Sequence, residues 1–222
     1  MILLCLGISA SILGGQMVYN IEFSTSQVAF DEFASGFFAR IDVEFRHQIR
    51  MIEMLGVTMS LKPDMSLIQY QLFAKHISDG HTWARSMNWM PRVPRHQRRE
   101  FEEKNRREYH DETIAMKDIK GNVLPYTNDS TLSASHDFYP VGYVQPIEGN
   151  FAAIGLEVTS NEDRFATLNK AASTAATIAT PVIDIFQVPD KSNDNGIVLY
   201  HPVYQPLCKH TISDAHIKLF IV

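Results

Sequence analysis

The chain has 222 residues, enough for one medium domain with a flanking element or for two small ones. Hydrophobic residues make up 45% and charged residues 20%, which supports a packed core and excludes a disordered chain. The formal net charge of −5 argues against a nucleic-acid partner, whose binder would more often be basic.

The cysteines are Cys5, in an apolar N-terminus, and Cys208, near the far end. They form no zinc-type pairing and leave the redox compartment open. Residues 2–18 carry no charge; the first charged residue is Glu22 and the first basic one Arg40. A membrane span needs about 20 apolar residues, so this stretch is slightly short for one. It fits the apolar region of a signal peptide, a signal anchor, or the outer part of a span. The missing basic flank speaks against a secretory signal, and Gly7, Gly14 and Gly15 suit a membrane helix better than a soluble one. Residues 1–20 are therefore expected to form a transmembrane or signal-anchor helix, with a buried core helix as the alternative.

Residues 21–62 read as a stalk. Phe30, Phe33, Phe37, Ile41, Phe45, Ile49 and Ile52 recur at steps of three and four and share one helical face. Such a helix packs on its own domain, on a second stalk in a homodimer, or on both. Pro63 and Asp64 mark a turn, and residues 66–77 a second helix. Residues 82–90 read as a strand ended by Pro91, and Pro94 opens a helix over 96–109. That helix interleaves Arg98, Arg99, Lys104, Arg106 and Arg107 with Glu100, Glu102, Glu103 and Glu108. Their i,i+4 spacing predicts a solvated surface helix.

Residues 111–139 read as strands and loops, and Asn128-Asp129-Ser130 matches the N-glycosylation pattern. Residues 138–144 and 151–158 are strand candidates. Ser160 is the expected N-cap of a helix over 161–174, and residues 181–187 and 196–202 read as the last strands. This order predicts an α+β fold, a long N-terminal helix followed by a PAS-like antiparallel sheet lobe. Catalysis finds little support. The nine histidines make no zinc pair, His76 and His81 are poorly spaced for one helical face, and no nucleophile elbow, phosphate loop or dinucleotide fingerprint occurs. No catalytic residue, metal or cofactor is expected.

Four segments in order carry a resemblance. The first is Trp89-Met90-Pro91-Arg92-Val93-Pro94, followed by Arg98, Phe101 and Glu102. The second is Gly155-Leu156-Glu157-Val158-Thr159-Ser160, with Arg164 after it. The third is Ala179-Thr180-Pro181, and the fourth runs from Gly196 to Tyr204 as GIVLYHPVY. Together, over roughly residues 60–205, they resemble the CHASE domain, the extracellular sensor of receptor histidine kinases and nucleotide cyclases. The resemblance implies two PAS-like lobes after a stalk helix, with the ligand in the membrane-distal lobe. It places the sensor domain over residues 63–222, with the second lobe incomplete.

It also implies a pocket over a sheet built from residues 139–144, 151–157, 180–186 and 197–204. Glu157, where the family usually has aspartate, is its polar anchor. Ile178, Leu199 and Phe151 supply apolar walls, and Thr180 and Tyr200 adjustable hydroxyls. The competing reading of Glu157 is a solvated strand-end carboxylate, or one satisfied by Arg164 or a helix N-terminus. The function so implied is extracellular or periplasmic sensing of an unidentified small molecule, relayed through the membrane to a kinase or cyclase. A secreted or tethered enzyme and a purely structural ectodomain are the rivals.

Overall fold

The structure is a computed structural model describing residues 2–80, 84–126, 137–185, 195–204 and 217–219, with backbone alone for 2–10 and 217–219. The glycosylation tripeptide 128–130, residues 82 and 83 of the expected first strand, residues 186 and 187, and Cys208 lie outside the described residues. The chain divides into two compact units, residues 1–47 and 48–222.

The first unit is helical throughout its described residues and belongs to α1 (Ile2–Leu61). Its described side chains are almost all exposed. Phe33, 73% exposed, stacks on Phe37 one turn later with ring centroids 6.4 Å apart. Arg46 Nε donates to Asp42 Oδ2 at 2.9 Å. Among the described residues no helix is long and apolar enough to cross a membrane; of the span expected over 2–18, the side chains of residues 2–10 lie outside the described ones.

In the second unit the end of α1 changes character. Met51, Ile52, Leu55 and Met59 are buried on one helical face. The next helix, α2 (Leu67–Ser78), starts with a full capping box: the Ser66 side chain accepts from the Gln69 N–H, and the Gln69 side chain accepts from the Ser66 N–H. Strand β1 (Met87–Trp89) follows, then a 3-10 turn (Arg95–Gln97) and α3 (Arg98–Tyr109). Beyond come β2 (Tyr143–Gln145), two further 3-10 turns, α4 (Glu162–Thr174), β3 (Ile178–Ala179), β4 (Ile183–Asp184), β5 (Asn195–Gly196), β6 (Leu199–Pro202) and β7 (Ile217–Leu219). The strands form three small antiparallel sheets, β1-β2, β3-β6-β7 and β4-β5. The α+β class holds, but the single continuous sheet of the sequence reading does not form among the described residues.

The largest departure is at residues 151–158, expected as a strand. They fold as 3-10 turns at Phe151–Ala153 and Val158–Ser160, around Gly155 at φ 80°. A Cβ on Gly155 would press into the Ala115 carbonyl oxygen, so only glycine fits this left-handed, closely approached position. Two single bridges remain, Lys117 with Leu156 and Pro140 with Glu157. At the next helix the N-cap is Asn161, whose side chain accepts from the Arg164 N–H at 2.9 Å. Ser160, the expected cap, instead donates its hydroxyl to the Glu157 carbonyl at 2.8 Å.

Strand β6 joins the two larger cores. Tyr200 packs with Leu156, Val158, Leu168 and Ala171 on the α4 side. Leu199 packs with Ile52, Leu55, Tyr70 and Trp89 on the α1–α2 side. Period-two alternation along the strand makes this division.

Helix α3 also departs from expectation. Arg99 and Glu103 form the expected exposed pair at 3.2 Å, but Arg98 and Glu102 are buried. The segment 114–126 folds over them. Glu102 Oε1 accepts from Arg98 Nε at 3.0 Å and from the Met116 N–H at 2.9 Å, and Oε2 accepts from the Tyr126 hydroxyl. Arg98 donates onward to the Pro125 and Leu124 carbonyls at 2.9 and 2.6 Å, and Arg106 Nε to the Ile114 carbonyl at 2.8 Å. A charged helix thereby becomes a clamp for the segment after it.

Two outcomes follow for stability, both read by thermal or urea unfolding. Gly155→Ala forces a left-handed backbone and a clash, and should destabilise by about 1–3 kcal/mol. Glu102→Ala strands the buried Arg98 and should cost about 3–5 kcal/mol, whereas Glu103→Ala should cost less than about 1 kcal/mol.

Candidate functional site

Glu157 enters the site from the turn that Gly155 permits. Its N–H donates to the Lys117 carbonyl at 2.7 Å, so backbone bonding fixes its direction. Its side chain is 3% exposed, which excludes the solvated alternative. Oε1 accepts from the Tyr139 N–H at 3.1 Å and from the Thr159 hydroxyl at 2.7 Å. Among the described residues no donor meets Oε2. The carboxylate is thus held in one orientation by its own neighbourhood, with bonding capacity left over.

Facing this carboxylate electrostatically is Tyr200, carried by β6 and fully buried. Its hydroxyl has no hydrogen-bond partner among the described residues. Burial pushes the phenol pKa far up; the Arg164 guanidinium opposes that shift and the Glu157 charge adds to it. Arg164 sits in the first turn of α4, on the buried face with Thr167, Leu168, Ala171 and Ala172. Its Nη2 donates to the Asp184 carbonyl at 3.2 Å, while Nη1 is buried without a partner among the described residues. Arg164 and Tyr200 face each other but make no hydrogen bond of good geometry. Tyr139, packed against the same core, feels burial first, which raises its pKa, then Arg92, which lowers it, then Asp137 and Glu157, which raise it.

The remaining expected residues divide by strand face. Ile178, opposite Tyr200 in the β3–β6 register, packs against the α4-side core. Thr180, two residues on, is buried; its hydroxyl oxygen accepts from the Val198 N–H at 3.0 Å, and its own N–H donates to the Val198 carbonyl at 2.9 Å. Leu199 points the other way, into the α1–α2 core, and supplies no wall near Glu157. Phe151 is 40% exposed and packs edge-to-face on Tyr109 at 6.1 Å, so the structure keeps it apart from the Tyr200 side. Ile178 and Tyr200 share the α4-side core, Thr180 bonds to Val198 of that core, and Glu157 acts on Tyr200 electrostatically, whereas Leu199 and Phe151 lie elsewhere.

The sequence reading missed Arg164, Tyr139 and Thr159 as site residues. For Arg164 a signal exists: it is the lone charge in an apolar i, i+3, i+4, i+7 stripe. For Tyr139 and Thr159 none does, because both act through a turn that looks like a strand. Elsewhere an open cleft of about 220 Å³ lies between the end of α2 and β2. Lys75, Asp79, Ser86, Gln145 and Pro146 are among its lining residues, and none of the expected site residues is.

Together these residues place a carboxylate, a guanidinium and a phenol inside a core otherwise made of aliphatic side chains. Such a group can orient a small polar molecule through directed hydrogen bonds at low dielectric. The chain is 26% identical over 208 residues to hybrid signal transduction histidine kinase A of Dictyostelium discoideum, a stretch covering 91% of this chain and 9% of that protein. The family model described as the CHASE domain matches residues 63–218, more than two thirds of the chain, and takes in α2 through β7: this chain belongs to the CHASE domain family.

Proposed function

We propose that this CHASE domain is the extracytoplasmic sensor of a receptor histidine kinase and binds a small organic ligand at the Glu157–Arg164–Tyr200 cluster. The observation that carries the proposal is the pair of unpartnered buried atoms, Arg164 Nη1 and Tyr200 Oη, beside a carboxylate with an unused oxygen. Buried polar groups are nearly always hydrogen-bonded. A ligand presenting an acceptor to Arg164 Nη1 and a donor to Glu157 Oε2 would complete the set. Family membership and the hybrid-kinase relative support a sensory role. The lobe built on β3, β6 and α4 serves as the PAS-like binding lobe. A ligand can shift the lobe only by the difference in its affinity for two shapes.

The test is a thermal-shift and calorimetry panel of adenine derivatives, amino acids and organic acids. A binder present at a hundred times its Kd stabilises by about 2.7 kcal/mol, is recovered unchanged, and identifies a sensor. Consumption of the binder would instead indicate an enzyme. Tyr200→Phe removes a hydroxyl that faces Arg164 without a hydrogen bond of good geometry among the described residues, so fold stability should stay within about 1 kcal/mol of the parent or rise. Affinity for the binder should fall about tenfold, matching a lost hydrogen bond of about 1.4 kcal/mol. If the panel yields no binder and Tyr200→Phe and Glu157→Gln only change stability, the cluster is structural.

The exposed aromatic row on α1 supports pairing with the same helix of a second copy. Phe30, Phe33 and Phe37 share one face, and all are more than half exposed. Phe33→Asp combined with Phe37→Asp should convert a dimer to a monomer in analytical ultracentrifugation. An unchanged sedimentation profile would remove the stalk from the assembly.

A further inference from the structure

His201 follows Tyr200 on β6 and therefore leaves the strand on the opposite face. Its ring lies against α1 at Gly56: a Cβ built there would stand 2.8 Å from His201 Cδ2 and 3.1 Å from Nε2. Val203 Cγ2 meets the same point at 3.1 Å. A side chain at position 56 would push the ring away, so the absence of one lets helix and strand close together. On the ring's other side Nδ1 is 3.0 Å from the Thr177 hydroxyl, in the segment leading into β3. Glu53, one turn earlier on α1, is the charged group that acts on the ring electrostatically. Thr177 comes from the β3 side, and the β6–β7 register sets Lys218 opposite position 201.

We infer that this seam between α1 and β6 is a proton-sensitive joint, closed by neutral His201 and loosened when the ring gains a proton. The neutral ring packs on Gly56 with one nitrogen bonded to Thr177. An imidazolium in the same place carries its charge into a partly buried position, with Glu53 the only carboxylate acting on it among the described residues. Burial accordingly lowers the His201 pKa below its ordinary 6.5, with the Glu53 charge opposing the shift. The sign follows from linkage. The unfolded chain holds the proton more tightly than the folded one, so stability rises with pH in this range. The contribution is complete above 6.5 and is lost as pH falls through the lowered midpoint. A histidine is suited to this because its charge changes between pH 5 and 8. Tyr200 on the site side and His201 on the helix side are neighbours on one strand, so the joint lies between the candidate site and α1. It stands whether or not the ligand reading does.

The experiment is done on the full chain in two parts. The first is an NMR titration of the histidine Cε1 protons, with His201 assigned by its loss in His201→Gln. Its midpoint should lie below 6.5, fall further in Glu53→Gln, and move back toward 6.5 in Gly56→Ala, where the added methyl displaces the ring. The second is amide hydrogen exchange over residues 52–59 at pH 7.5 and 5.5, corrected for intrinsic rates, with α4 as the internal control. Opening of 52–59 should increase severalfold at the lower pH in the parent chain and not in His201→Gln. A midpoint at or above 6.5 overturns the inference. So does opening of 52–59 that is independent of pH in the parent, or equally dependent on it in His201→Gln. Should His201→Gln fail to fold, through-bond assignment of His201 in the parent chain and the Gly56→Ala titration decide the question alone.

Discussion

A strand exposes two faces, and in this domain both faces of β6 are buried. Tyr200 is locked among the residues of α4, and Leu199 among those of α1 and α2. Neither core can repack without moving the strand, because side chains one residue apart are rigidly opposed and interiors are close-packed. This makes β6 the mechanical link of the second unit. Whatever alters the α4-side core is felt at the α1–α2 core through a single peptide step, with no chain of intermediate contacts required. The left-handed turn at Gly155 completes the arrangement. It delivers Leu156 into the Tyr200 core and aims the next residue, Glu157, at the same strand.

The two buried carboxylates among the described residues show how the same chemistry serves different ends. Glu102 has both oxygens engaged, by two arginines, a backbone N–H and a tyrosine hydroxyl. Every bonding site is answered locally, and the result is a clamp that fixes the 114–126 segment on α3. Glu157 has one oxygen engaged and one not among the described residues, and Arg164, buried on α4, is itself only partly satisfied there. A fully satisfied network rigidifies; a partly satisfied one is costly unless something else completes it. That contrast, within one domain, is what separates the structural acid from the candidate ligand anchor.

How far the sequence revealed this depends on the kind of signal. The helices were legible because amphipathic periodicity and capping residues are local: α2 begins at its Ser66 cap, and α3 ends within the expected range. The sheet was not. Apolar runs such as 151–158 satisfy the strand pattern, yet the conformation there is decided by one glycine whose partner, Ala115, is 40 residues away. For the same reason Phe151 and Leu199 were assigned to the wrong side, since a face can be read only once the register is known. Glu157 and Tyr200 were singled out through the family resemblance and not through any local pattern. Arg98 and Glu102 sat in a motif as well, but helical charge pairs look alike whether water or a folded-back segment covers them.

The engaged half of Glu157 bears on how a ligand would be chosen. Two hydrogen bonds at Oε1 hold the carboxylate in one rotamer before any ligand arrives, so little side-chain entropy remains to be lost on binding. On the proposed reading, the other carboxylate oxygen with Arg164 Nη1 and Tyr200 Oη, which lack hydrogen-bond partners among the described residues, would offer a ligand a template of one acceptor, one donor and one group able to do either. A molecule that mismatches the template leaves a buried polar atom unanswered, at about 1–3 kcal/mol for each. An extra methylene against an apolar wall is worth a similar amount, so discrimination by the polar pattern grows large only when several polar atoms are left unanswered together. The glutamate in place of the family's usual aspartate moves this template one methylene deeper into the lobe. Ligand size is therefore where this chain should differ from its relatives, and hydrogen-bond pattern where it should resemble them.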